Sequence, residues 1–275
     1  MTSRFPALSM NTVATRVHAV RMGRRLRLLS CLGALLVPVA CAAPSHTVPV
    51  PAPTARTTPA ARTPALPLAL RWMRRSAEYR ALTRQTYAVA AARLDDTVPT
   101  LTGVAWGVIL DADETLLDNS EYQRRRAVLD SAYTEASWAE WVKEVAAPAV
   151  PGAVAFTRRV RRLGGRVIVV TNRADALCGP TRANLRRVGV PADLVLCQPP
   201  GQPDKNPRFR AVERGTASTD LPALRIVEWI GDNIQDFPGL TQAVRHDPSA
   251  FRAFGRTFFV LPNPVYGSWQ GNAGP

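Results

Sequence analysis

The chain has 275 residues, 46% of them hydrophobic, which is enough to bury a core and excludes an intrinsically disordered protein. Its formal charge is +14, from 35 basic and 21 acidic residues. With 3 histidines in the whole sequence, His18, His46 and His246, histidine-based hydrolysis is nearly excluded.

Residues 1–41 read as an export signal. Arg4, Arg16, Arg21, Arg24, Arg25 and Arg27 come with no acidic residue, and an apolar run from Leu28 to Ala40 follows. That run is too short for a membrane span, which needs roughly 20 apolar residues. Taking these six arginines and no acids from +14 leaves +8, so the basicity is partly a targeting feature. Pro38-Val39-Ala40-Cys41 resembles a bacterial lipobox with proline in place of leucine, which would make Cys41 a lipidated first residue and anchor the protein to a membrane. Ala40-Cys41-Ala42 also fits ordinary cleavage after Ala42. Both readings export the protein, one to the outer face of a membrane and the other into the medium. Residues 42–67, rich in proline, threonine and alanine, read as a disordered tether, and residues 68–275 as the folded domain.

From Leu68 to Asp96 the pattern is helical, with Leu70, Met73, Ala77, Tyr79, Leu82 and Tyr87 near helical spacing. Short apolar runs then follow at Ala105–Leu110, Arg166–Val170, Asp193–Leu196, Arg225–Ile230 and Thr257–Leu261, rich in Val, Ile or Phe, as buried parallel strands are. Helices are predicted between them at Ala153–Leu163, Pro180–Val188, Pro207–Arg214 and Pro238–Val244. This alternation predicts an α/β fold: a doubly wound parallel sheet of about five strands, whose site lies at the carboxyl edge.

Chemistry-bearing residues fall at those strand ends. Asp111-Ala112-Asp113 follows the first strand. At this spacing one carboxylate can attack phosphorus while the other serves the leaving group as acid and then activates water. Asp118 extends the acidic loop, but the glycine-centred alternation of an EF-hand is missing. Thr171 and Asn172 end the second strand and offer a hydroxyl and N–H groups to phosphoryl oxygens. Lys205, one of only two lysines beside Lys143, precedes a predicted helix, where a compact ammonium can neutralise an anion. Asp232 and Asp236 follow the fourth strand on a glycine turn, and such hard oxygen ligands suit Mg²⁺.

Asp111, Asp113, Thr171, Lys205 and Asp232 stand in the order of the four motifs of the haloacid-dehalogenase-like superfamily. Within it, Leu70-Arg71-Trp72-Met73, Leu117-Asp118-Asn119-Ser120, Val150-Pro151-Gly152-Ala153, Gly231-Asp232-Asn233 and Leu261-Pro262-Asn263 resemble the class C bacterial acid phosphatases. The resemblance spans about Leu68 to Gly271. It implies N-terminal helices, a small helical cap region and an Mg²⁺-dependent phosphomonoesterase, often acting on 5′-nucleotides, that is exported or lipid-anchored. It makes Asp111 the nucleophile and Asp113 the acid/base, and gives the metal to Asp111, the Asp113 carbonyl and Asp232, with Asp236 in support. Thr171 and Lys205 would grip the phosphoryl group, and Trp138 and Tyr266 would sandwich a substrate ring. Trp141, three residues on, reads as structural. No specific nucleic-acid partner is implied, although the residual +8 keeps a basic nucleic-acid-binding protein among the alternatives. A surface ligand-binding lipoprotein with the same fold and little catalysis is the other.

Cys178 and Cys197 are an even pair in the domain of an exported protein, both near the carboxyl edge of adjacent strands. A disulfide between them is predicted, with two free buried thiols as the alternative.

Overall fold

The structure, a computed structural model, describes residues 65–272. The expected export signal, Cys41 and nearly all of the tether lie outside the described residues. Among the described residues no helix is long and apolar enough to cross a membrane.

Two helices open the domain where periodicity gave one. Ser76 is extended (φ −82°, ψ 146°), and its Oγ accepts from the Tyr79 N–H at 3.0 Å. A serine that caps in this way ends one helix and starts the next. The result is α1 (Leu68–Arg75) and α2 (Ala77–Thr97). Apolar spacing passes over the break because both helices bury their apolar faces, Leu70 and Met73 on one and Tyr79 and Tyr87 on the other.

The five strands are β1 (Trp106–Leu110), β2 (Arg166–Ala174), β3 (Leu194–Gln198), β4 (Arg225–Gly231) and β5 (Phe258–Val260). They form one parallel sheet in the order β3-β2-β1-β4-β5. The doubly wound α/β expectation therefore holds. β1 is central, and the winding reverses there, since β2 and β3 lie to one side and β4 and β5 to the other. Outside the carboxyl end of such a strand the flanking loops part and leave a crevice.

Alternate residues of the strands feed two cores, one on each face of the sheet. Val108, Leu110, Val167 and Val169 pack against α2 and against α5 (Ala153–Arg162). Ile109, Ile168 and Val170 pack with Phe209 and Val212 of α7 (Asn206–Glu213). Gly152 opens α5 at φ 101°, and a Cβ there would meet the Tyr87 ring at 2.9 Å, which accounts for the glycine in Val150-Pro151-Gly152-Ala153.

Between β1 and α5 lie two further helices, α3 (Ser120–Val128) and α4 (Glu135–Lys143), for which the apolar spacing marked no range. The next helix, α6 (Cys178–Val188), starts at Cys178, whose Sγ is bonded to that of Cys197 in β3. The helix expected at Pro238–Val244 does not form. Gly239 sits at φ 72°, outside the right-handed helical region, and its N–H goes to Asn206 Oδ1 at 2.9 Å. What remains is a 3₁₀ turn at Gln242–His246, and His246 is exposed on it.

One core residue runs against its surroundings. Glu228 of β4 is paired in register with Val108 and only 2% exposed, and neither carboxyl oxygen has a hydrogen-bond partner among the described residues. Burial pushes its carboxyl up to about 9, against the opposing pull of Arg93 on α2. A carboxyl raised in the folded state favours folding fully below its unfolded value near 4.5 and loses that contribution as pH rises toward 9, at about 1.4 kcal/mol per pH unit. Glu228→Gln is therefore expected to raise Tm at pH 8 and to leave it nearly unchanged at pH 4, as read by thermal unfolding at both.

Candidate active site

Asp111 leaves the sheet directly after β1, its N–H still bonded to Ile230 O of β4 at 3.0 Å. The chain then turns tightly, with the Leu116 and Leu117 N–H groups both donating to Ala112 O, and Glu114 takes a left-handed conformation (φ 50°). This turn sends Asp111 and Asp113 toward the crevice while Ala112 is wholly buried.

Two further loops converge on Asp111. Lys205, at the start of α7, places Nζ 2.6 Å from Asp111 Oδ1 and 2.6 Å from Asp236 Oδ1. After β4, Asp236 folds back against Gly231, where any Cβ would collide with its carboxylate, and its Oδ2 accepts from the Asn233 N–H at 2.9 Å. Asp232 accepts from Thr115 Oγ1 at 3.1 Å and from Asn263 Nδ2 at 2.9 Å.

The cluster is buried and short of positive charge. Burial pushes the Asp111 carboxyl up to about 7 against the attraction of Lys205, and Asp236 and Asp113 add to the rise. Burial likewise drives Asp232 well above the usual carboxylate range, helped by Asp236 and Asp111. For Lys205, burial disfavours the ammonium, but Asp111 and Asp236 outweigh it and hold the pKa above the ordinary value.

Oxygen atoms of Asp111, Asp232 and Asp236 lie within 4.8 Å of one another, with one ammonium among them. A divalent cation fits this set, since hard oxygen donors and uncompensated negative charge are what such an ion binds. Asp236, like Asp111 and Asp232, also accepts hydrogen bonds from its neighbours, here Lys205 Nζ and the Asn233 N–H. Asp118 is not in the set, and its Oδ1 accepts from the Ser120 N–H at the start of α3 at 2.8 Å.

Asp113 has partners of its own. Arg173 of β2, 1% exposed, forks onto its carboxylate, with Nη2 2.7 Å from Oδ1 and Nε at 3.0 and 3.2 Å from the two oxygens. Asn119 Nδ2 donates to Oδ1 at 2.8 Å, and the Trp141 indole donates to Asn119 Oδ1 at 2.8 Å, which is the structural use of Trp141. Glu114 accepts from the Asn119 N–H at 2.9 Å and from the Tyr266 hydroxyl.

A cavity of about 900 Å³ opens above these groups. Asp111, Asp113, Asn172, Lys205, Asp232 and Asp236 line it, and so do Trp138 and Tyr266. Asn172 is partly committed, Nδ2 to Pro203 O at 2.9 Å and Oδ1 from Arg208 at 2.6 Å. Thr171 is fully buried and is not among the lining residues; its Oγ1 accepts from the Arg173 N–H at 3.2 Å, so its hydroxyl proton is what it has left to donate. Sequence reasoning gave no role to Arg173, Asn119, Glu114 or Tyr133. Tyr133 joins Trp138 on the cavity wall at 6.4 Å between ring centroids. The one signal for Arg173 is its place two residues after Thr171, hence on the same face of β2.

The chain matches the family described as HAD superfamily, subfamily IIIB (acid phosphatase), over residues 32–269. The class C acid phosphatase from Bacillus anthracis has a similar structure, with a TM-score of 0.66 and 30% identity over 74% of this chain and 85% of that one. Its structure with tungstate bound gives the same figures. Acid phosphatase 1 of Solanum lycopersicum is 26% identical over 58% of this chain and 57% of its own length. The stem 28 kDa glycoprotein of Glycine max is 28% identical over 58% of each. The chain thus spans somewhat more than half the length of these curated relatives. By the match to its family over most of its length, on a fold similar to that of the class C enzyme, this chain belongs to subfamily IIIB of the HAD superfamily, the acid phosphatases.

Proposed function

We propose that the chain is an exported phosphomonoester hydrolase in which Asp111 accepts the phosphoryl group and Asp113 is the acid/base, with nucleotides among its substrates. The observation that carries this reading is the placing of Asp111 in the cavity, bonded to the buried Lys205, with a second carboxylate two residues along the same loop. That a relative was solved with tungstate bound, a tetrahedral oxyanion, supports an oxyanion substrate for this fold.

Asp111 attacks phosphorus as the ester oxygen departs with a proton from Asp113. Asp113 then takes a proton from water as that water displaces Asp111 from phosphorus, and phosphate leaves. Lys205 holds the Asp111 carboxylate in place and faces the incoming anion with its charge. The free amide proton of Asn172 and the Lys205 ammonium, both on the cavity wall, are the donors proposed for the phosphoryl oxygens, and the hydroxyl of Thr171, buried behind that wall, is the third. Mg²⁺ would be held by Asp111, the Asp113 carbonyl and Asp232, with Asp236 in support, and would supply neutralising charge to the phosphoryl oxygens.

Trp138 and Tyr266 line the cavity and would flank a flat leaving group, as stacking on aromatic faces requires. Export and a lipid anchor at Cys41 belong to the proposal on sequence grounds alone. Phosphate release from a panel of esters, with Mg²⁺ and then with EDTA, tests the reading. Activity is expected to fall at least about tenfold in EDTA and to return with Mg²⁺, as for a metal that stabilises transition-state charge. A folded protein that hydrolyses no ester would favour the ligand-binding alternative.

A further inference from the structure

We propose that Arg173 is a positioning residue that fixes Asp113 so that one oxygen, Oδ2, exchanges the proton with leaving group and water. The proposal rests on the assignment of Asp113 as the acid/base. Its basis is the uneven way the Asp113 carboxylate is held. Oδ1 takes three donors, Arg173 Nη2 at 2.7 Å, Arg173 Nε at 3.0 Å and Asn119 Nδ2 at 2.8 Å. Oδ2 has only the edge of the Nε contact, at 3.2 Å. The carboxylate is thus pinned through one oxygen while the other stays available, and Asp113, its side chain 17% exposed, lines the cavity.

Arg173 is itself firmly placed. Its Nη1 donates to Thr181 Oγ1 at 3.3 Å, its Nη2 also reaches Asn119 Oδ1 at 3.3 Å, and its guanidinium lies 5.4 Å from the Trp138 ring centroid. A planar fork buried among these partners sets a carboxylate's direction, which a flexible ammonium does far less well. Arg173 touches neither Asp111, Lys205 nor Asp232 by any hydrogen bond or ion pair among the described residues. Arg173 also borders the cavity, and a direct hold on the phosphoryl group would lower activity on every ester alike, whereas its hold on Asp113 falls on proton transfer.

As the Asp111 oxygen bonds to phosphorus and the bond from phosphorus to the ester oxygen breaks, the Oδ2 proton passes to that oxygen and an alcohol leaves. In the second step the water oxygen bonds to phosphorus, its proton returns to Oδ2, the bond to Asp111 breaks and inorganic phosphate departs. A leaving group that is stable as an anion needs no proton in the first step, and this separates a proton-positioning role from any other.

The experiment measures kcat/KM, which reports the chemistry through phosphorylation of Asp111, for para-nitrophenyl phosphate and for an alkyl phosphate such as glycerol phosphate. It uses wild type, Arg173→Met, Arg173→Lys and Asp113→Asn. Arg173→Met is expected to lose about 10²-fold on the alkyl ester, as loss of general-acid catalysis does, and less than about tenfold on the nitrophenyl ester. Asp113→Asn should give the same selective loss, and Arg173→Lys an intermediate one. Arg173 is buried, so folding is checked by circular dichroism, and Arg173→Lys supplies the comparison if the methionine variant does not fold. Equal losses on the two esters, or no loss, in a folded variant would overturn the proposal. If Asp113→Asn itself shows no selective loss, the acid/base assignment fails, and this inference falls with it. Selective loss in Asp113→Asn without it in the Arg173 variants refutes the inference alone.

Discussion

Asp111→Asn is expected to lower kcat at least about 10⁴-fold on every phosphate ester while the protein stays folded, because the replaced oxygen is the one that bonds phosphorus. The loss should not depend on the leaving group, in contrast to that of Asp113→Asn. Asparagine keeps the size of the side chain and one oxygen near Lys205 Nζ, now 2.6 Å from Asp111 Oδ1, so substrate binding should survive. Phosphate release by wild type and variant, with Tm alongside, checks this. A residual rate within about a hundredfold of wild type would move the nucleophile elsewhere.

The second large effect is expected at Lys205. Its ammonium, 6% exposed, is shared by Asp111 and Asp236, and Asp232 is close by. Lys205→Met leaves those buried carboxylates facing one another, and breaking such a pair from one side costs about 3–5 kcal/mol. Activity should fall about 10³-fold, because both the orientation of Asp111 and the charge facing phosphate are lost. Arginine is a poor replacement: its broad fork does not bring a single nitrogen to both carboxylate oxygens. Lys143→Met, at the exposed end of α4, is the control and should change neither rate nor Tm. Urea unfolding and kcat/KM of the three variants test this, and a fully active Lys205→Met would remove the ammonium from the account.

Much of the sheet could be read directly from short Val- and Ile-rich runs, because parallel strands covered on both faces are continuously apolar. The boundaries moved little except at β2, which continues through Thr171 to Ala174. That continuation matters chemically, since it turns Thr171 and Arg173 inward and Asn172 outward. Asp111, Asp113, Lys205, Asp232 and Asp236 were visible as candidates because each follows a strand or opens a helix, and the structure brings them around one crevice. The two cysteines, separated by a single crossover, are joined.

Other features left no usable trace in the pattern. Ser76 looks like one more tolerable helix residue until its hydroxyl is seen to cap α2. Gly239 breaks the stretch from Pro238 to Val244 through a positive φ that spacing does not encode. Arg173 is hidden among many arginines, and only tertiary packing distinguishes a buried fork on Asp113 from a solvated charge. Glu114 and Asn119 sit in a loop whose apolar pattern is silent, and their value comes from the contacts that tie Asp113, Trp141 and Tyr266 together.

The most direct measurement is mass spectrometry of enzyme quenched in acid during turnover of a fast ester, followed by peptide mapping. The account predicts one added phosphoryl group, carried by the peptide containing Asp111 and located on Asp111 itself, and none in Asp111→Asn. A phosphoryl group on any other residue, or steady turnover with none trapped on the protein, would contradict it.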